Sequence, residues 1–221
     1  MGRIGIFFRA LVAATWIAVV PGPGGAAQLA AVAPDSAAGR QLVERLRSGG
    51  LVLYFRHADT RGEACDRSFQ VGDRPGQRNL SPAGRRQAAQ IGPALQALGI
   101  PVQKPVLAGP VYRARDTAEL AFGPEHVQVT DSLLADDYAG GRLAWVLAEH
   151  RRLMQEPVPA GTNRVLVGHR TPAIQVMGNA VGGRALPEGA AVVIEPGASG
   201  PRPIGILAPV PTVGSGFHDC G

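Results

Sequence analysis

The chain reads as an α/β domain, a three-layer α/β/α sandwich with a largely parallel central sheet. Two apolar runs, Leu51-Val52-Leu53-Tyr54-Phe55 and Val165-Leu166-Val167, have the length and composition of strands buried on both faces. Strand-like runs alternate with amphipathic helical stretches along most of the sequence. With 221 residues, 45% of them apolar and 18% charged, the chain can bury the core of one medium domain, which excludes wholesale disorder. Two cysteines are too few for a disulfide-stapled scaffold, and the 30 glycines show no collagen period.

Residues 1–27 read as a secretory signal peptide. Arg3 and Arg9 form a positive start, Ala10–Val20 is an uncharged and mostly apolar run, and Pro21-Gly22-Pro23-Gly24-Gly25 breaks it. The run is short for a spanning helix. Cleavage is expected after Ala27; Ala31-Val32-Ala33 is a second candidate that Pro34 disfavours, and an uncleaved anchor is the alternative. The expected location is therefore secreted or periplasmic. In that oxidising setting Cys65 and Cys220 are expected to pair.

Residues 28–50 form a lead-in and an N-terminal helix, and 51–221 the main domain. Residues 28–35 look short and mobile, and Leu42, Val43 and Leu46 fall at helical spacing within Arg40–Arg47 before the Gly49-Gly50 stop. After the first strand, residues 61–80 are rich in Arg, Asp, Gly and Pro and read as a long loop, functional or disordered. Ser81-Pro82 opens a helix, as hydroxyl N-cap and Pro at N1, that runs to Gly99. Strands follow at Val106–Ala108 and Val127–Thr130, with a helix over Arg113–Ala121 between them. A helix over Arg142–Met154, the strand Arg164–Gly168, a helix near Pro172–Val181 and strands at Ala190–Ile194 and Ile204–Leu207 complete the chain.

The net charge is +5, and every basic residue except Lys104 is arginine. No run of five or six basic residues occurs, so a nucleic-acid partner is not indicated. Oligomeric state leaves no trace in the sequence.

The chemistry concentrates at strand ends. Phe55 gives way to Arg56-His57-Ala58-Asp59-Thr60, Val167 to Gly168-His169-Arg170-Thr171, and Arg113-Ala114-Arg115 opens a helix just after a third strand. Open α/β sheets bind ligands beyond the carboxyl ends of their strands, so these imidazoles and guanidiniums are expected to converge. A metal fits such a pocket badly, because arginines repel a cation and no carboxylate cluster compensates. An anion fits well, since guanidinium forks match phosphate oxygens.

These residues resemble the signature of the histidine phosphatase superfamily, in its phosphoglycerate-mutase-like branch. Arg56-His57-Ala58 resembles the family's Arg-His-Gly/Ala start, and Leu80-Ser81-Pro82-Ala83-Gly84-Arg85-Arg86-Gln87-Ala88 its Leu-Ser/Thr-x-x-Gly-x-x-Gln-Ala helix. Arg113-Ala114-Arg115-Asp116-Thr117-Ala118 resembles its second-arginine helix, and Val165–His169 its second-histidine strand. The resemblance implies a phosphoglycerate-mutase-like fold and a phosphomonoesterase that needs no cofactor or metal. His57 would be the nucleophile, forming a phosphohistidine, with Arg56, Arg113 and His169 around the phosphoryl group. Attack needs a neutral imidazole whose other nitrogen is held by a hydrogen bond.

His169 is followed by Arg170-Thr171 rather than an acid, so the acid-phosphatase and phytase branch is not matched. The proton donor is expected in Leu134-Ala135-Asp136, where the family places Glu; Asp136 is the first candidate, with Asp137 and Asp59 behind it. Gly109 stands near a position where the family often has Ser. Arg115 and Arg170 read as solvated extras, and the basic 61–80 loop, with Arg61, Arg67, Arg74 and Arg78, as a cover for an acidic substrate or a solvated segment. Expected substrates are small-molecule or lipid-linked phosphate monoesters, including substrates at a membrane surface. A metal-dependent hydrolase is opposed by the arginines. A phosphate-binding module without turnover is the alternative kept open.

Overall fold

The structure is a computed structural model that describes residues 1–2 and 27–218. The expected targeting segment falls almost entirely outside the described residues, as does Cys220, the expected partner of Cys65. Among the described residues, no helix is long and apolar enough to cross a membrane.

Among the described residues seven strands form one sheet: β1 (Ala31–Val32), β2 (Val52–Arg56), β3 (Val106–Ala108), β4 (Val127–Val129), β5 (Arg164–Gly168), β6 (Ala191–Glu195) and β7 (Arg202–Leu207), in the order β1-β7-β6-β2-β5-β3-β4. Only β6 runs against the others: it is antiparallel to both β2 and β7, whereas β2–β5, β5–β3, β3–β4 and β1–β7 are parallel. The sheet is thus largely parallel, as expected.

Alternation along the central strands feeds two cores. Leu53, Phe55, Val165 and Val167 face α1 (Ala37–Ser48), α2 (Pro82–Ala97) and α3 (Tyr112–Phe122). Val52, Tyr54, Leu166 and Val192 face α5 (Leu143–Gln155) and α6 (Arg170–Met177) on the other side. A short helix, α4 (Asp136–Ala139), precedes α5. This is a three-layer α/β/α sandwich, with β2 and β5 buried on both faces because each carries apolar side chains in both directions.

Two local features depart from the sequence reading. The lead-in is not loose: Ala31-Val32 adds an edge strand to β7, a pairing too short to leave a periodic signal. The α4 turn was hidden because Asp136-Asp137-Tyr138-Ala139 has no helical apolar stripe of its own. Elsewhere boundaries moved by a few residues at most; the last helix starts at Arg170 and continues past Met177 only as a 3₁₀ turn.

The start of α2 shows why its motif has this form. The Ser81 hydroxyl accepts from the Gly84 amide at 2.9 Å, and Pro82 occupies the first turn where no donor is needed. A Cβ at Gly84 would lie 1.9 Å from the Asp59 carbonyl oxygen, so only glycine lets the helix sit against the strand-end loop.

Candidate active site

Parallel pairing of β2 with β5 sets the site. Their register places Arg56 opposite Gly168, so His57 and His169 leave the sheet side by side at its carboxyl edge, ring centroids 5.5 Å apart. Arg113 arrives from the first turn of α3, after β3. These groups line a cavity of about 160 Å³, together with Arg78, Asp136, Asp137, Arg170, Thr171 and His218. Arg56, His57, Arg113 and His169 are each at most 5% exposed and form its floor.

The His57 ring is held in one tautomer. Its Nδ1 lies 2.9 Å from the Ala58 carbonyl oxygen, which can only accept, so Nδ1 carries the proton and Nε2 keeps its lone pair. Burial, then the guanidiniums of Arg56 and Arg113, hold His57 well below the ordinary histidine range. His169 is lowered in the same way, by burial first and Arg113 next. Both rings are neutral at neutral pH.

Each floor arginine has a carboxylate behind it. Arg56 Nη2 lies 3.3 Å from Glu188 Oε1, and Nη1 donates to the carbonyls of Leu186 and Gly216. Even so, burial pushes the Arg56 pKa down to about 10. Arg113 Nη1 donates to both oxygens of Asp66, from the long loop, at 3.0 and 3.1 Å. Asp66 also accepts from the Tyr138 hydroxyl and the Arg78 amide. Several buried nitrogens here lack a hydrogen-bond partner: the Nε atoms of Arg56, Arg113 and Arg170, and Nε2 of His169. Unpartnered guanidinium nitrogens gathered at one cavity suit the oxygens of an anion.

The acid candidates separate. Asp136 and Asp137 line the cavity, and burial raises both; hydrogen bonds from the backbone and the Thr171 hydroxyl pull Asp136 back only in part. Asp59 does not line it. One Asp59 oxygen accepts from the Ser81 hydroxyl at 2.5 Å, and the other lies 3.3 Å from His218 Nδ1. Asp59 thus braces the start of α2.

Asp59, Glu188 and His218 come close enough together to suggest a cation site. The Arg56 guanidinium against Glu188, and His218 Nδ1 at 2.7 Å from its other oxygen, already answer that charge. A cation would sit beside a guanidinium, which disfavours it.

Gly109 has a structural reason: a Cβ there would lie 2.2 Å from the Leu133 carbonyl oxygen, leaving no room for a side chain. Arg115 pairs with Glu119 one turn on, as a solvated residue should. Arg170, read as solvated, instead lines the cavity. In the loop, Arg74 forms a two-pronged pair with Asp116 and stacks on Tyr112, Arg67 bonds the Pro75 carbonyl, and Arg78 reaches the cavity. Glu188, His218, Asp66 and Thr171 were not singled out from the sequence. Only Thr171 stood inside a recognised motif; the others arrive from loops and the C-terminal tail.

Fold and site together define an α/β protein with a cavity lined by guanidiniums and imidazoles at the carboxyl edge of a mostly parallel sheet. Residues 52–141 match the family model described as histidine phosphatase superfamily, branch 1, the superfamily whose motifs the sequence resembles. The match contains Arg56, His57, Arg113 and Asp136 and ends before His169. No curated protein matches. Solved structures with a similar fold include the protein histidine phosphatase SixA complexed with tungstate, at 16% identity over 72% of this chain and 97% of that one, TM-score 0.47. Phosphoglycerate mutase from Thermus thermophilus is similar at 21% identity over 72% and 98%, TM-score 0.45. Mycobacterial glucosyl-3-phosphoglycerate phosphatase is similar at 21% identity over 66% and 89%, TM-score 0.42.

Proposed function

We propose that the protein is an exported phosphomonoesterase that works through a phosphohistidine on His57. The observation that carries this reading is the His57 Nδ1–Ala58 carbonyl bond, which leaves Nε2 unprotonated on a ring lining a cavity floored by Arg56, Arg113 and His169. Nε2 attacks phosphorus as the bond to the leaving oxygen breaks. Arg56, Arg113 and His169 bind the equatorial oxygens and stabilise the charge that develops there. Asp136, raised by burial, gives its proton to the leaving oxygen, then takes one from the water that cleaves the phosphohistidine. The arginines supply the positive charge a metal would otherwise bring.

Export rests on the signal-like pattern of residues 1–27, and with it the expectation that Cys65 and Cys220 pair. Thiol titration of denatured protein, with and without reductant, tests the pairing.

The functional test is turnover of p-nitrophenyl phosphate by wild type and His57→Ala, with and without EDTA, and acid-labile labelling of His57 by radioactive substrate. Turnover that survives EDTA and disappears with His57 supports the reading. Vanadate binding without turnover or labelling would replace it with a non-catalytic phosphate-binding module.

A further inference from the structure

We propose that His218 is a positioning residue of the site: by donating to Glu188 it completes a clamp that turns one edge of the Arg56 guanidinium into the cavity. The proposal rests on the phosphatase reading only in naming the bound group a phosphoryl group.

A guanidinium carries five N–H donors. In Arg56 the carbonyls of Leu186 and Gly216 accept from Nη1, at 3.1 and 3.2 Å, and Glu188 Oε1 accepts from Nη2 at 3.3 Å. What remains is the edge formed by Nε–H and the second Nη2–H. Nε is buried and has no partner among the described residues. Two parallel N–H groups match two oxygens of a phosphoryl group. The groups that hold the other hydrogens therefore decide which edge meets the anion.

Three successive residues of the tail act on that arrangement. The Gly216 carbonyl accepts from Arg56 Nη1 and also from the Glu188 amide at 2.9 Å, so one oxygen ties the arginine to the backbone of its counter-charge. The Phe217 ring centroid lies 5.1 Å from the Arg56 guanidinium. His218 Nδ1 lies 2.7 Å from Glu188 Oε2, and a carboxylate only accepts, so Nδ1 carries the proton. Asp59 Oδ1 is 3.3 Å from the same nitrogen yet has no hydrogen-bond partner among the described residues, so that proton belongs to Glu188.

The fully buried Glu188 is thus pinned at both oxygens. The Thr60 hydroxyl donates to Oε1 at 2.8 Å, beside the longer Arg56 contact, and His218 holds Oε2. Without His218, Oε2 is a buried acceptor with no donor, and the nearest cation is Arg56. The carboxylate then turns both oxygens on the guanidinium and competes with the phosphoryl group for its free edge. His218 keeps Oε2 away and so leaves that edge open.

The test is calorimetric binding of inorganic phosphate and of phenylphosphonate, which carries a phenyl group where the leaving group would be. His218→Ala should weaken both about tenfold, the size expected of a lost charge-assisted contact. His218→Asn places an N–H near the position of Nδ1 and should restore most of the affinity. His218→Gln places its N–H near the position of Nε2 and should bind as the alanine variant does. Should His218→Ala fail to fold, the difference between asparagine and glutamine decides.

Wild-type affinity in His218→Ala overturns the clamp. Equal loss in asparagine and glutamine, or equal rescue by both, overturns it too, because donation from the Nδ1 position would then not matter. Loss confined to phenylphosphonate places His218 on the leaving group instead. Binding needs no turnover: if it follows the expected pattern while His57 is neither labelled nor required, the clamp stands and the phosphatase reading falls. Turnover that depends on His57, with binding indifferent to His218, does the reverse. Wild type that binds neither probe overturns both.

Discussion

The Tyr54 hydroxyl is bonded twice to the backbone of one residue: it donates to the His169 carbonyl at 2.9 Å and accepts from the His169 amide at 3.0 Å. A side chain from the middle of β2 thereby holds the chain as it leaves β5, and so aims the second histidine. Glycine at 168 is part of the arrangement, since a Cβ there would lie 2.4 Å from the Tyr54 oxygen.

Removing that hydroxyl leaves a buried donor and a buried acceptor unpaired. Tyr54→Phe is expected to lose about 1–3 kcal/mol of stability, read by urea denaturation. It should also lower kcat between about tenfold and a hundredfold, as a small displacement of a phosphoryl ligand does. Unchanged kcat in a destabilised variant would mean that Tyr54 serves the fold alone.

Asp136 and Asp137 can be told apart by leaving group. Asp136→Asn should lower kcat/KM on an alkyl phosphate by about a hundredfold or more, and much less on p-nitrophenyl phosphate, whose phenolate leaves without a proton. Asp137→Asn should show no such split. The reverse pattern would move the acid to Asp137.

The pH profile follows from two opposite shifts. His57 must be neutral and is held well below the usual histidine range, so activity should persist as pH falls through 6.5. Asp136 must be protonated and is raised by burial, so activity should decline as pH rises through its pKa. The optimum lies on the acid side, and Asp136→Asn should flatten the alkaline limb of kcat/KM. An acid limb centred at an ordinary histidine pKa would contradict the buried, arginine-flanked ring.

His150 makes stability depend on pH away from the site. It is fully buried in α5, its Nδ1 bonded to the Val146 carbonyl, and burial lowers its pKa to about 4. The unfolded chain takes up that proton near pH 6.5 and the folded chain only near 4. Stability is unaffected by this group above 6.5 and is lost as pH falls from 6.5 to 4, by roughly 3 kcal/mol at about 1.4 kcal/mol per unit. His150→Gln should reduce the slope in that window, read by urea midpoints at about pH 7.5, 5.5 and 4.5. An equal slope in the variant would assign the loss to His57 and His169.

Glu188 holds Arg56 from behind, at 0% exposure, and also accepts from Thr60 and binds His218. Glu188→Gln is expected to cost about 3–5 kcal/mol, because it leaves a buried guanidinium without its counter-charge. Phosphate affinity should weaken as well, measured by vanadate inhibition. Wild-type affinity in a destabilised protein would show that Arg56 is held by the Leu186 and Gly216 carbonyls instead.

Much of this molecule was legible along the chain, for reasons that are local. Val52–Arg56 and Arg164–Gly168 announce themselves because a strand buried on both faces must be apolar at nearly every position. Ser81-Pro82 marks a helix start through its own cap. His57, His169, Arg56 and Arg113 could be picked out because each sits at an element boundary inside a motif. The floor of the site is therefore a local property, repeated at three strand ends and brought together by parallel pairing.

What only the tertiary structure decided is how those charges are held. Glu188 before β6, Asp66 in the long loop and His218 in the tail have no periodic pattern, because loops and tails obey no repeat and their partners lie far along the chain. The edge pairing of Ala31-Val32 is just as silent. Arg170 looked like a surface residue beside a histidine and proved to be cavity wall, while Asp59 looked like a candidate acid and proved to brace a helix. Sequence periodicity and caps report each residue's own backbone. Burial, charge pairing and pKa are set by neighbours that only folding brings within reach.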